Sequence, residues 1–297
     1  WVEVGRTTLG SAGDDIDVSS LADKRYYMVL CSDLPTANTQ WYPRLGNTTF
    51  DTGSNYSTRE SYNGATDLAL ATQPSIRWNT SVTTSYTNPK FGVGYISNLA
   101  TKEKLTMFHG IAQQTGGAGT APDRAENVSK WTNTSNVMDM FRLHNIESGS
   151  FNTGSEVVVL GWDPADTHTT NFWEELVDTS WSSGSSVETS AFATKKYLWY
   201  QGWFKTGGSM SGSYSALQVG SGGTISTSGY AERYSINGAS DATEINKSNF
   251  YGLVGQGNDG TGNELTFING FIINNSANEK LLISNAAGFD ATAGSGA

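Results

Sequence analysis

Apolar residues in this chain gather in short runs separated by polar turn residues. Six runs stand out: "RYYMVLCSDL" (Arg25–Leu34), "KFGVGYISNL" (Lys90–Leu99), "SEVVVLGWD" (Ser155–Asp163), "KKYLWYQGWF" (Lys195–Phe204), "ELTFINGFIINN" (Glu264–Asn275) and "KLLISNA" (Lys280–Ala286). They are rich in Val, Ile, Tyr, Phe and Trp and bounded by Gly, Asn, Asp, Ser or Pro, the pattern of β-strands. Asn63-Gly64, Asn237-Gly238, Asn258-Asp259-Gly260 and Gly207-Gly208 offer the positive-φ residues of tight hairpins. Helical periodicity is scarce. The best candidate, "NFWEELV" (Asn171–Val177), is short and aligns with an earlier segment that reads as a strand. Short strands at close spacing predict antiparallel sandwiches, each jelly-roll-like.

The pattern also repeats. Lys90–Leu105 aligns without a gap on Thr266–Leu281, keeping Phe91/Phe267, Gly94/Gly270, Ile96/Ile272, Asn98/Asn274 and Glu103-Lys104-Leu105/Glu279-Lys280-Leu281 in step. Asn55–Asp67 aligns on Gly229–Asp241, and Trp1–Met28 on Phe172–Trp199, which pairs Glu3 with Glu174 and Lys24-Arg25-Tyr26 with Lys195-Lys196-Tyr197. Solenoid repeats recur every 20 to 50 residues or so, whereas these blocks recur at offsets of about 171 to 176 residues. The expectation is therefore an all-β protein of two tandem antiparallel β-sandwich domains related by internal duplication. The first covers residues 1–163, a linker 164–171, and the second 172–297. The counterpart of Lys130–Asp163 would lie beyond the final residue, so the second domain is expected to want its last strands, supplied by a continuing polypeptide or by a neighbouring chain.

Leu105 and Leu281 are expected to enter the core behind turns capped by Glu103-Lys104 and Glu279-Lys280. Phe91 and Phe267 are expected at matching buried positions. Arg59 and Arg233, beside Tyr56 and Tyr230, read as one tyrosine–arginine contact used twice.

Composition narrows the functional classes. At 297 residues each unit can bury its own core, and 11% aromatic content argues against disorder despite only 15% charged residues. A net charge of −10, with 18 Lys+Arg scattered among 28 acids, speaks against the basic stripe that nucleic-acid binding needs. No apolar run is long enough for a membrane helix, and no leader pattern opens the chain, which starts on Trp1 as a processed or partial end would. The single cysteine, Cys31, sits in an apolar run and reads as a buried, inert thiol.

Chemistry-bearing motifs are few. His109, His144 and His168 lie in dissimilar settings, with no metal-type spacing, and there is neither a nucleophile elbow nor a P-loop. "GDDIDV" (Gly13–Val18) and "GQGNDGTGNE" (Gly255–Glu264) carry oxygen ligands suited to Ca²⁺ but not in an EF-hand order, so turns are the preferred reading. Glu3/Glu174 and Glu103/Glu279 could in principle pair as glycosidase carboxylates, yet their recurrence favours a structural role. Nine Trp could stack on sugars, but most fall in strand patterns that read as core. Seven Asn-x-Ser/Thr sequons (Asn47, Asn55, Asn79, Asn127, Asn133, Asn246, Asn274) would matter in a eukaryotic host. No catalytic, cofactor-binding or metal-ligating residue is assigned, and no cofactor is expected.

The strings "GRTTLGSAGDDIDVSSLADKRYYMVL", "DTGSNYSTRESYNGATD", "SNLATKEKLTMFHGIAQQTGGAGTAPDRAENVSKWTNTS" and "GSFNTGSEVVVLGWD" resemble a domain of environmental, mostly marine, viral and phage-derived sequences usually labelled virion structural or tail-fibre-like. The resemblance covers nearly all of the first unit and, more faintly, the second. It implies a non-enzymatic structural protein of a virus particle (capsid, decoration or fibre subunit), located in the virion. Its partners would be copies of itself in a symmetric assembly and other virion proteins. The alternatives are a lectin-like carbohydrate-binding module, with host-surface glycans as partners, and a secreted surface-layer protein.

Overall fold

The structure, a computed structural model, describes residues 1–78, 87–167, 169–180, 182–205, 216–236, 238–250 and 265–288. Among these there is no helix, and every sheet is antiparallel. The chain divides into two units. The first comprises Trp1–Thr115 and Asp123–Trp173, the second Gly116–Pro122 and Glu174–Ala297.

The first unit contains β1 (Val2–Thr8), β2 (Asp15–Val18), β3 (Tyr26–Asp33), β4 (Arg44–Asn47), β5 (Thr49–Phe50), β6 (Tyr56–Tyr62), β7 (Leu68–Gln73), β8 (Lys90–Ser97), β9 (Lys104–Ala112), β10 (Asp123–Trp131), β11 (Met140–His144) and β12 (Glu156–Trp162). An eight-stranded sheet runs β1-β12-β3-β8-β9-β10-β6-β7, and a four-stranded sheet runs β2-β11-β4-β5. Strand alternation explains why they form a sandwich. Tyr27, Val29 and Cys31 of β3, Val157 and Val159 of β12, Ile96 of β8 and Phe108 of β9 share one core cluster with Ile16, Val18, Leu45, Phe141 and Leu143 of the smaller sheet. Each fully buried side chain of this kind is worth about 1.5–3 kcal/mol. Trp41, Trp78 and Trp131 are wholly buried, in keeping with tryptophans used for packing. Trp78 stacks on Phe108 at 4.5 Å between ring centres, and it reaches there because β8 has glycine beneath it. A Cβ at Gly94 would lie 2.4 Å from the Trp78 ring.

The second unit contains β13 (Tyr197–Lys205), β14 (Gly220–Ser221), β15 (Thr224–Ile225), β16 (Tyr230–Tyr234), β17 (Ala242–Lys247), β18 (Leu265–Ile273) and β19 (Leu281–Gly288). These form a sheet β13-β18-β19 and the hairpins β14-β15 and β16-β17. Their registers follow those of the first unit residue by residue. Tyr26 faces Ser97 across β3–β8, and Tyr197 faces Ile273 across β13–β18. Ile96 faces Thr106 across β8–β9, and Ile272 faces Leu282 across β18–β19. The β6–β7 hairpin pairs Thr58 with Leu70 and Tyr56 with Gln73, and β16–β17 pairs Glu232 with Glu244 and Tyr230 with Lys247. Both hairpins carry the same bulge, with Thr72 and Asn246 at φ 56° and 52°.

Side chains agree as well. The Tyr56 hydroxyl bonds the Leu45 amide and carbonyl (both 3.0 Å) and the Asp51 carbonyl (3.1 Å). The Tyr230 hydroxyl bonds the Val219 amide (2.9 Å), the Val219 carbonyl (3.0 Å) and the Ser226 carbonyl (3.0 Å). Lys104 donates to the Leu99 and Lys102 carbonyls at 2.9 Å, and Lys280 donates to Asn275 and Asn278 at 2.6 and 2.7 Å. Here the lysine of each Glu-Lys-Leu triplet ties down the turn.

Some residue-level expectations fail, and strand alternation, which puts neighbouring residues and residues three apart on opposite faces, accounts for the facing of Leu105 and Arg59. Lys104 turns inward, so Leu105 is 56% exposed, although Leu281 is buried. Phe91 is buried, whereas Phe267 is 45% exposed. Tyr56 and Arg59 likewise face opposite sides of β6. Arg59 sits near Asp67 at 3.7 Å and Arg233 Nε donates to the Pro122 carbonyl at 2.9 Å, and among the described residues the expected tyrosine–arginine contact is not formed. The helical candidate Asn171–Val177 is irregular. The segment expected as a linker begins by folding back on the first unit, where Asp166 accepts from Lys24 at 2.6 and 2.7 Å and Phe172 N–H donates to Trp1.

Replacing Tyr56 or Tyr230 by Phe strips the hydroxyl from these shared corners and leaves buried backbone groups short of a partner. Each change is expected to destabilise its unit by about 1–3 kcal/mol, read from urea unfolding followed by tryptophan fluorescence.

Candidate functional site

A polar cleft of about 370 Å³ opens beside the β4–β5 hairpin. The hairpin turns through Thr48 at φ 59°, and Gly46 permits the closure, since a Cβ there would meet the Thr49 carbonyl oxygen at 2.4 Å. Asn47, Asp51, Thr52, Trp131, Asn133 and Asn136 are among its lining residues. Asp51 organises the floor. One of its oxygens accepts from Gly53 N–H (2.8 Å) and Asn55 (3.1 Å), the other from Trp131 Nε1 (2.7 Å) and Asn55 (2.9 Å). Asn133 Oδ1 accepts the Ser135 and Asn136 amides, so that wall is an Asx turn. The cleft therefore presents amides and hydroxyls, suited to neutral polar ligands. Among the described residues no nucleophile–base hydrogen bond lines it. Trp131 is buried against Tyr56 and offers no stacking face.

A second polar feature lies inside the sandwich. Asn127 of β10 faces Glu60 on β6 and Phe108 on β9, and Trp78 covers Phe108. Glu60 Oε2, both polar atoms of Asn127, Thr106 Oγ1 and Trp78 Nε1 are buried without hydrogen-bond partners among the described residues. Such a group of orphaned atoms is where ordered water enters a protein interior. Burial pushes the Glu60 carboxyl up, and Arg77, 3.3 Å away, opposes that shift. The inward polar positions of β6 and β10 were the available sequence signal. It is a weak one, because alternation there cannot be told from a strand with its polar face in water.

The expected candidates are placed as follows. Within "GDDIDV", Asp17 is forked by Arg142 at 2.6 Å on both oxygens, and Asp15 meets His144 Nδ1 at 2.6 Å and Arg142 at 3.3 Å. The carboxylates thus serve cross-strand contacts with Arg142 and His144, and no metal-ligating group of three or more occurs among the described residues. Gly255–Glu264 lies outside the described residues. Glu3 pairs with Arg6 (2.8 Å), Glu103 with Lys130 (3.0 Å) and Glu174 with Lys195. His109 is driven down by burial, and the fully enclosed Cys31 thiol is pushed well up, as an inert thiol would be.

Two outcomes are expected. Exposed pairs matter little, so Glu103→Ala and Arg59→Ala should each cost under about 1 kcal/mol, while Asp51→Ala, which orphans Trp131 Nε1 and Gly53 N–H, should cost about 1–3 kcal/mol; urea titrations of the variants decide. The second concerns pH. A carboxyl whose folded pKa is raised contributes stability that is complete below its unfolded pKa and lost as pH rises through the folded one. Wild type should therefore lose stability relative to Glu60→Gln as pH rises above the ordinary Glu value, in paired thermal melts.

No known protein family, curated protein or solved structure matches the chain.

Proposed function

We propose that the chain is a structural protein of a virus particle (capsid, decoration or fibre subunit) built from two tandem jelly-roll-like units of common origin and assembling through them. The virion assignment rests on the resemblance of the first unit's sequence. The common origin is supported by the matched registers, the shared bulge and the two tyrosine corners, since unrelated sheets have no reason to agree residue for residue.

One observation carries the assembly reading. The β13-β18-β19 sheet repeats the register of β3-β8-β9, yet the positions held in the first unit by β12 and β10 have no strand beside β13 or β19 among the described residues. Unpaired edges of this kind template pairing with another chain. The face carries exposed aromatics too, beside the polar row Gln201–Asn269–Asn285. Trp203 is 65% exposed and Phe267, its register partner, 45% exposed. An edge and an aromatic face together suit a lateral contact between subunits, and the acidic composition suits a particle surface that does not bind nucleic acid. The many charged residues in shared positions tie turns and strands together rather than converge on a reactive centre, which fits a protein without turnover.

A lectin-like reading is favoured by the cleft beside β4–β5 alone. Glycan-array binding that disappears in Asp51→Ala with folding intact would put it first. For the assembly reading, sedimentation velocity should reveal oligomers burying more than about 1,000 Å² per contact, dispersed by Trp203→Asp. A wild-type chain that stays monomeric at high concentration would overturn it.

A further inference from the structure

At one end of the first unit's core, Asp33 and Lys90 form the last register pair of the β3–β8 ladder. Both side chains are enclosed, 0% and 1% exposed. Lys90 Nζ lies 2.9 Å from Asp33 Oδ2. Two further donors converge on that same oxygen, the Thr39 hydroxyl at 2.7 Å and Trp41 Nε1 at 3.1 Å. Lys90 also donates to Thr39 Oγ1. Asp33 Oδ1, by contrast, is buried with no hydrogen-bond partner among the described residues. The sheet itself does not demand charges here, because the corresponding register pair of the second unit is Phe204 with Thr266.

We propose that Lys90 and Asp33 join covalently, through an amide between Nζ and Cγ that staples β3 to β8. The uneven use of the two carboxylate oxygens is what points to this. An ion pair held only for stability would gain by satisfying both oxygens, since a buried charge with an orphaned atom is costly. Here every donor sits on Oδ2, and Oδ1 is left as a leaving oxygen would be.

The step balances without a co-reactant. In a dry core the ammonium passes one proton to Oδ2, the oxygen it bonds, and the acid proton settles on the unpartnered Oδ1, giving a neutral amine and a neutral acid; burial lowers the Lys90 pKa in the direction this needs, with Asp33 opposing. The Nζ lone pair attacks Cγ, and the C=O electron pair moves onto Oδ2, where Thr39 O–H and Trp41 N–H are already in place to hold the developing charge. A second proton moves from Nζ to the Oδ1 hydroxyl, the Cγ–Oδ1 bond breaks, and one water departs. One N–H remains in the amide. The ladder register holds the reacting groups together throughout, replacing an encounter by a fixed geometry.

The test is the intact mass of the denatured wild-type chain, followed by proteolysis and peptide mapping. The expected result is a chain lighter than its sequence by one water, with the peptide containing Lys90 linked to the peptide containing Asp33. Lys90→Arg should return the full mass, and Asp33→Asn should close with loss of ammonia instead. A wild-type chain of full mass overturns the proposal. So does a water loss that maps elsewhere, for example to dehydration at the Asp259-Gly260 dipeptide.

Discussion

The first unit depends on how closely Trp78 approaches the backbone of β8. Gly94 leaves no side chain between that ring and the sheet, and Gly92 does the same beside Phe108 and Trp41. The three aromatics can then fill the space above β8 and β9 and reach Phe141 of the smaller sheet, 5.6 Å from Trp78. Without that approach the two sheets would have to separate, and the aliphatic rows of β3, β12, β2 and β11 would lose their partners together. The counterpart in the second unit obeys the same constraint with a different ring, as a Cβ at Gly270 would lie 2.5 Å from Tyr200 Cζ.

Around this shared centre the units diverge in what they enclose. The first closes both neighbours of its central three strands, so that charged and amide side chains such as Asp33, Lys90, Glu60 and Asn127 are sealed inside. Sealing changes their chemistry: the carboxyl of Glu60 rises, the amine of Lys90 falls, and orphaned atoms appear that would simply be hydrated on a surface. The second unit leaves exposed aromatics and strand edges open among the described residues, and apart from the buried Glu232 its described charged residues stay near the surface. A sealed polar interior and open sheet edges thus fall to different units that use the same ladder.

The assembly reading and the amide proposal fit one physical picture. A subunit that meets neighbours through sheet edges must keep its own strands from slipping, because a one-residue slip would exchange every inward side chain for an outward one. Tyrosine corners, lysine-capped turns and a locked β3–β8 pair all oppose such slippage.

Much of the fold was legible in the sequence. The six apolar runs are strands, and the blocks around β6–β7, β8–β9 and the start of β3 foretold equivalent registers, because alternation and turn residues are local properties; the counterpart of β1 and β2, Phe172–Lys196, forms no strand among the described residues. Facing was harder. Leu105 was expected inside and is exposed while Lys104 is enclosed, since a hydrophobic residue next to a lysine gives no hint of which one alternation turns inward. Nothing in the local sequence distinguishes Asp33 and Lys90 from solvated strand-end charges. Only the tertiary structure places them opposite one another across β3–β8, in a pocket shaped by Thr39 and Trp41. A chain sets strand period and turn chemistry by itself. Which side of a strand meets water, and which two distant charges share a dry space, is decided only when the sheets close on each other.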